Sequence, residues 1–359
     1  MKIGFDAKRY YHNNTGLGNY SRTLVGKLQQ MFPENEYVLY DEGTLRRTFC
    51  LGNKAASDSC DIFHGLSNEL PLIFPHRMTT KYVVSVHDIC WRTFPEMYHF
   101  IDRHLYDWKY GASMKKADRV VAISQSTKRD IMEAYGVPEH KIEVVYQPVQ
   151  DYYYTPLPTE DVKAQIAQCE GLPENFILYV GSINSRKNLL SIVKSLALIP
   201  VDQRPFLVVV GNGREYRKEV ENYISTHQLQ NYVCIKSDIH NNKLLQALYA
   251  KATLFVYPSF YEGFGLPVVE AALQHTPVIT STVSSLPEAA GPDACFINPN
   301  DKDASAMMAE TIVRLCSDTV FAETVASSME AYARRMFSPT TLTEQMMNLY
   351  RRIIQEKDA

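Results

Sequence analysis

Residues 257–271 read Tyr257-Pro-Ser-Phe-Tyr-Glu-Gly-Phe-Gly-Leu-Pro-Val-Val-Glu-Ala271. The apolar run Thr253–Tyr257 leads into them as a strand, and Pro267 suits the first turn of a helix. The stretch is therefore one strand–loop–helix step of an α/β fold. Glu262 falls on the loop, and Glu270 lies about one turn inside the helix. A surface loop with one capping carboxylate needs only one of these residues. Glycines on both sides of Phe264 mark close approach of the backbone to a ligand. The N–H groups of Phe264, Gly265 and Leu266 at the helix start suit an anion or sugar hydroxyls.

The same step recurs along the chain. Apolar runs ending in Gly, His, Asp or Ser occur at 2–6, 37–40, 61–64, 82–87, 119–124 and 142–146, then at 176–181, 206–211, 232–236, 253–257, 277–280 and 294–297. Helical stretches separate them, which is the signature of parallel sheets covered on both faces. Between the two sets, Gln147-Pro-Val-Gln-Asp-Tyr-Tyr-Tyr-Thr-Pro-Leu-Pro158 has three prolines and continues neither element, so it reads as a linker. Two Rossmann-like domains are expected, 1–155 and 156–337. The segment 338–359 is an amphipathic helix opened by Ser338-Pro339, with apolar residues at Leu342, Met346, Leu349, Tyr350 and Ile353.

Composition narrows the class. The chain has 359 residues, 45% hydrophobic and 21% charged, which fits two globular domains. A net charge of −3 argues against a nucleic-acid partner. Residues 1–155 carry 19 basic and 18 acidic side chains, and the remainder 18 and 22, so the two parts differ mildly in charge. Seven scattered cysteines without a Cys-x-x-Cys pair suit a reducing compartment and no structural zinc. Met-Lys-Ile-Gly-Phe-Asp enters a strand directly, with no secretory pattern and no run near the roughly 18 apolar residues of a membrane span, so a cytoplasmic location is expected.

Other segments carry weaker signals. Arg186 and Lys187 precede a helix expected from Asn188, where two cations beside a helix start can neutralise a diphosphate; standing alone, they would read rather as an ordinary solvated pair. His87-Asp88 ends an apolar strand, the place where such sheets hold ligands, although a histidine there also serves as a structural hydrogen-bonder. Gly16-Leu-Gly18 and Gly211-Asn-Gly213 each stop short of G-x-G-x-x-G, with Ser21 and Tyr216 at the third position, which disfavours an NAD-type oxidoreductase. Over Trp91–Arg119, basic and aromatic residues interleave. That suits peripheral contact with anionic headgroups, or a helix with an aromatic core face and a solvated basic one.

Taken together, these motifs resemble the retaining glycosyltransferases of family 4, whose GT-B architecture sets two Rossmann-like domains with parallel sheets facing across a cleft. Glu262 and Glu270 match that family's E-x7-E, and Phe176–Leu189 looks like its phosphate-binding strand and loop. Ser284–Gly291 with Ile297–Asp301, Gly16–Tyr20, His64–Ser67 and Val86–Ile89 match in order. The Arg-Lys-Asn loop and His-Asp pair are most similar to mannosyltransferases of bacterial surface polysaccharide synthesis.

The resemblance implies a nucleotide diphosphate sugar, tilted toward GDP-mannose, as donor substrate. It also implies a saccharide or polyprenyl-linked acceptor, no metal and no other cofactor. His87, Asp88 and Glu262 would serve catalysis. Gly16, Gly18, Ser182, Arg186, Lys187, Ile239, Gly263, Phe264, Gly265, Leu266 and Glu270 would join Glu262 in holding the donor, and His64 and Ser67 would hold the acceptor. Ser182 stands where many members carry arginine. A silent nucleotide-sugar-binding subunit, a UDP-sugar enzyme and a GT-B epimerase or phosphorylase are the alternatives.

Overall fold

The computed structural model describes residues 1–13, 15–73, 75, 79–169, 171–239 and 241–356. The chain forms two compact units, Met1–Gln150 with Phe337–Ala359, and Asp151–Met336. In the first, β1 (Lys2–Asp6), β2 (Glu36–Tyr40), β3 (Ile62–Gly65), β4 (Lys81–Val86), β5 (Arg119–Ala122) and β6 (Ile142–Val144) form one sheet in the order β2-β1-β3-β4-β5-β6. Every pairing is parallel. Strand order reverses between β1 and β3.

The second unit holds β7 (Ile177–Val180), β8 (Leu207–Val210), β9 (Val233–Lys236), β10 (Leu254–Tyr257), β11 (Val278–Ser281) and β12 (Cys295–Ile297). Their order is β12-β11-β10-β7-β8-β9, again parallel throughout. This is the doubly wound arrangement, and its order reverses between β7 and β10. Ligands of such sheets bind beyond the carboxyl ends of the strands at that reversal. β7, β8 and β10 are almost wholly buried, as continuous apolar strands between two helical layers must be.

The expected boundary at residue 155 falls instead at 150. Asp151–Tyr154 forms a short 3-10 helix whose Tyr153 is buried, and Gln274 Nε2 donates to the Tyr153 carbonyl at 2.7 Å. These contacts place the segment with the second unit. The last helix, Pro339–Gln355, is capped by Ser338 Oγ, which accepts from the Thr341 N–H, and it groups with the first unit. Its Tyr350 hydroxyl lies 2.6 Å from His64 Nδ1.

That contact revises the reading of His64. Its other ring nitrogen, Nε2, lies 2.8 Å from Ser85 Oγ, the residue is fully buried, and burial pushes its pKa down to about 3. With both nitrogens used inside the core, a neutral His64 anchors the final helix to β3 rather than meeting an acceptor.

Candidate active site

At the order reversal of the second unit, the loops after β7 and β10 are stitched together. Asn184 Oδ1 accepts from the Lys187 N–H at 3.1 Å and starts the 3-10 turn Ser185–Lys187. Asn188 takes a left-handed conformation and sends Nδ2 to the Pro258 carbonyl at 3.1 Å; the helix proper runs Leu189–Leu198. The Phe260 N–H donates to the Arg186 carbonyl at 2.8 Å. These ties bring Arg186 and Lys187 against Glu262, although about 75 residues separate them in sequence.

Glu262 is the hub. Its Oε1 accepts from Lys187 Nζ at 2.7 Å and from the Tyr257 hydroxyl at 3.0 Å, while Oε2 meets Arg186 Nη1 at 3.0 Å. Arg186 also donates to the Tyr261 carbonyl, and Lys187 to the Tyr257 hydroxyl, over whose ring it lies at 4.9 Å. Burial alone would raise the Glu262 pKa; the two cations outweigh it and hold the carboxyl at about 2. It is ionised at any pH where the protein would work, and the trio carries a net charge of +1. Main-chain atoms of Glu262 are pinned as well. Its N–H donates to Ser284 Oγ at 3.0 Å, and its carbonyl accepts from Ser285 Oγ at 2.8 Å.

After this loop, Gly263 and Phe264 are buried, and Gly265 caps the helix Leu266–Leu273 at φ 106°, a conformation that disfavours any side chain. A Cβ there would also stand 2.8 Å from Leu286 Cδ2. Leu266 is part-buried in the first turn with Pro267. Glu270, further along, does not join the cationic cluster. Tyr249 donates to its Oε2 at 3.0 Å, and burial raises its pKa to about 7 against the pull of Tyr249 and Tyr153. The two glutamates thus occupy opposite electrostatic environments within one helix start.

The remaining donor candidates are placed less directly. Ser182 is exposed, and its Oγ accepts from Asn184 Nδ2 at 2.9 Å, so it shapes the loop carrying the cations. Ile239 is part-exposed beyond β9, the edge strand. Gly16 and Gly18 fall inside the helix Gly16–Met31. Gly18 is buried, and a Cβ would stand 1.7 Å from the Asn13 carbonyl oxygen, so packing within the first unit already accounts for this glycine. Gly16 is exposed with open space around it. Gly211 likewise packs on the loop after β7, where a Cβ would stand 1.9 Å from the Gly181 carbonyl oxygen.

In the first unit, His87 follows β4. Its Nε2 donates to the Leu66 carbonyl at 2.9 Å, which leaves Nδ1 of the neutral ring as an acceptor. Burial lowers its pKa, and the ring meets Tyr20 edge-on at 4.7 Å. Asn68, at φ 60°, holds the His87 N–H with Oδ1 at 2.8 Å. Asp88 Oδ1 accepts from the Cys90 N–H at 3.0 Å. Ser67, next to Asn68 in the chain, is buried. Sequence reasoning gave no role to Tyr257 or Asn68 and read Asn188 only as a helix start within the Arg-Lys-Asn loop.

Comparison with known proteins gives a consistent picture. The model of the glycosyl transferases group 1 matches residues 163–336, and that of glycosyltransferase family 4 matches residues 35–151. The chain is 30% identical over 297 residues to O-antigen chain mannosyltransferase B of Escherichia coli, covering 81% of this chain and 74% of that protein. It is 29% identical over 219 residues to O-antigen chain mannosyltransferase RfbU of Salmonella typhimurium, covering 61% and 57%. Among solved structures, Anabaena Alr3699/HepE in complex with UDP superposes with a TM-score of 0.77 at 20% identity, over 98% of this chain and 100% of that one. Sucrose-phosphate synthase from Thermosynechococcus elongatus gives 0.77 at 19%, over 99% of each. At this identity the likeness establishes a shared fold, the GT-B architecture of two Rossmann-like units.

Proposed function

Because the chain belongs to the group 1 glycosyl transferases, with a family 4 segment in its first unit, we propose that it is a retaining, metal-independent mannosyltransferase of surface polysaccharide synthesis. It takes mannose from GDP-mannose and passes it to a saccharide or polyprenyl-linked saccharide. The Arg186–Lys187–Glu262 cluster at the strand-order reversal carries this reading. The cluster offers two cations to a departing diphosphate without a metal. The relatives named as O-antigen mannosyltransferases support the choice of sugar, and the HepE complex with UDP marks the alternative base.

The second unit binds the donor and the first the acceptor. Glu262 and the glycine-flanked turn after it hold the transferred sugar, and Glu270 holds the ribose. The acceptor oxygen bonds to C1 on the face from which the diphosphate leaves, as the C1–O bond to phosphate breaks. A carboxyl held at about 2 is too weak a base to take the acceptor's proton near neutral pH, so the proton passes to the leaving phosphate oxygen. In the first unit, His87 offers a neutral acceptor nitrogen to a sugar hydroxyl, and Asp88 orients the same turn. A thermal-shift panel of GDP, UDP, ADP and their sugars tests the assignment. GDP and GDP-mannose should give the largest upward shifts. Stabilisation by UDP compounds alone would replace the donor, and no response to any nucleotide would remove the function.

The same reading sets the enzyme at the cytoplasmic face of a membrane. Among the described residues no helix is long and apolar enough to cross one. The helix Phe100–Lys116 has an inner side on which Tyr106 and Tyr110 pack against the core, together with the buried Trp91. Its outer side carries Phe100, Ile101, Leu105 and Trp108, 70%, 77%, 50% and 59% exposed, beside the exposed Asp102 and His104. Lys109 is not part of it, because its ammonium pairs with the buried Glu69. Apolar side chains with the exposed Lys115 and Lys116 at the helix end suit an anionic lipid surface. Replacing Ile101, Leu105 and Trp108 with serine should abolish flotation with anionic vesicles. Wild-type protein that fails to float, or a variant that floats equally, would refute the contact.

A further inference from the structure

We propose that Tyr20 is a positioning residue for His87, holding the imidazole with its ring while its hydroxyl is anchored through Ser85 and His64 to Tyr350 of the last helix. The inference rests on the reading of His87 as a group that faces a sugar hydroxyl. All five side chains are buried and belong to the first unit. Tyr20 comes from the helix Gly16–Met31, Ser85 from β4, His64 from β3 and Tyr350 from the helix Pro339–Gln355. Their polar atoms form one chain. Tyr20 Oη lies 2.7 Å from Ser85 Oγ, Ser85 Oγ 2.8 Å from His64 Nε2, and His64 Nδ1 2.6 Å from the Tyr350 hydroxyl. Whichever nitrogen of a neutral His64 carries the proton, all three links can be made. Breaking one would leave a buried polar group unpaired, so the chain fixes where the Tyr20 ring stands.

That ring meets His87 edge-on, with centroids 4.7 Å apart and planes at 89°. The imidazole is held a second time at Nε2, which donates to the Leu66 carbonyl at 2.9 Å. A carbonyl only accepts, so Nε2 carries the proton and Nδ1 is the accepting nitrogen. One hydrogen bond lets a ring pivot about it, and the contact with Tyr20 removes that freedom. Ser85 also sets the main chain. Its carbonyl accepts from the Asn68 N–H at 2.8 Å, and Asn68 Oδ1 accepts from the His87 N–H at 2.8 Å. Ring and backbone of His87 are thus both referred to one serine, two places before it in the chain. Tyr20 moves no proton itself: burial raises its pKa, and its hydroxyl is turned to Ser85. An imidazole held this way keeps its accepting nitrogen in one direction, where small displacements slow a reaction steeply.

The test uses the full chain with GDP-mannose, as wild type, Tyr20→Leu, Tyr20→Phe, Ser85→Ala, His87→Ala and the Tyr20→Leu/His87→Ala pair. It reads GDP release, GDP affinity by calorimetry, and the imidazole nitrogen NMR signals, with His87 assigned by its loss in His87→Ala. Wild-type His87 should show one tautomer, protonated at Nε2. In Tyr20→Leu the tautomers should mix and GDP release should slow about ten-fold, while GDP affinity stays as it was. Tyr20→Phe keeps the ring and should lose less. Ser85→Ala removes only a hydroxyl and should act in the same direction as Tyr20→Leu, so it carries the test if that variant does not fold. Adding Tyr20→Leu to His87→Ala should change nothing more. If His87→Ala releases GDP like wild type, the reading of His87 falls and this inference with it. If His87→Ala slows release but Tyr20→Leu and Ser85→Ala keep both the rate and the single tautomer, only the inference fails. A loss in Tyr20→Leu that leaves the His87 signal unmoved, or that persists beside His87→Ala, would also overturn it, as a packing effect.

Discussion

Glu262→Gln should slow sugar transfer about ten- to hundred-fold, the worth of a charged hydrogen bond of about 1.5–3 kcal/mol, while nucleoside diphosphate binds at least as tightly as before. The reason is the charge count around the hub. In the wild type one carboxylate balances Arg186 and Lys187 and leaves a net +1. Without it, two cations with side chains only 16% and 12% exposed lose their shared carboxylate, and an incoming diphosphate takes its place as counter-ion. The ligand-free variant should melt lower, since removing one partner of a buried ion pair costs about 3–5 kcal/mol. Added GDP should then raise its melting temperature by more than it raises that of the wild type. Initial rates and melting curves check both halves; loss of GDP affinity in this variant would show that Glu262 belongs to the nucleotide instead.

Lys187→Ala should act in the opposite sense. Affinity for the nucleoside diphosphate should fall about ten-fold or more, whereas the free nucleoside binds unchanged, because each charge-assisted phosphate contact contributes about 1.5–3 kcal/mol. The same variant should melt lower near neutral pH but lose less of its stability on acidification than the wild type. Glu262 has a folded pKa of about 2 against 4.5 unperturbed, so the ion-pair stabilisation is fully present above 4.5 and is lost as pH falls toward 2. With Lys187 gone the depression shrinks and less stabilisation remains to be lost. Calorimetry with GDP and guanosine, and melting curves from pH 2 to 7, measure the two effects. Equal GDP affinity in variant and wild type would place Lys187 outside the phosphate site.

The architecture was legible because parallel strands buried on both faces are written as uninterrupted apolar runs, and all twelve appear where those runs lie. Strand order is not written locally, and with it the strand-order reversal that makes Glu262 meet Arg186 and Lys187. The E-x7-E loop could be read from its glycines and proline alone. Tyr257, Ser284 and Ser285 could not, since a tyrosine ending a strand or a serine before a helix looks ordinary until the fold sets it against Glu262. His64 misled for the same reason: its hydroxyl partner, Tyr350, lies 286 residues away, and only the tertiary structure reveals that both ring nitrogens are spent. Gly18 looked like a ligand-approach glycine and is needed for a main-chain approach within the protein itself.

The most direct measurement is the release of GDP from GDP-mannose by the purified full chain in excess EDTA, with UDP-glucose in parallel and Glu262→Gln as the control. Metal-free release of GDP from GDP-mannose, slow without acceptor and slower still by about ten-fold or more in the control, is the predicted result. No release from either donor would mean a binding protein without chemistry, and release that appears only when Mg²⁺ or Mn²⁺ is restored would contradict the role given to Arg186 and Lys187.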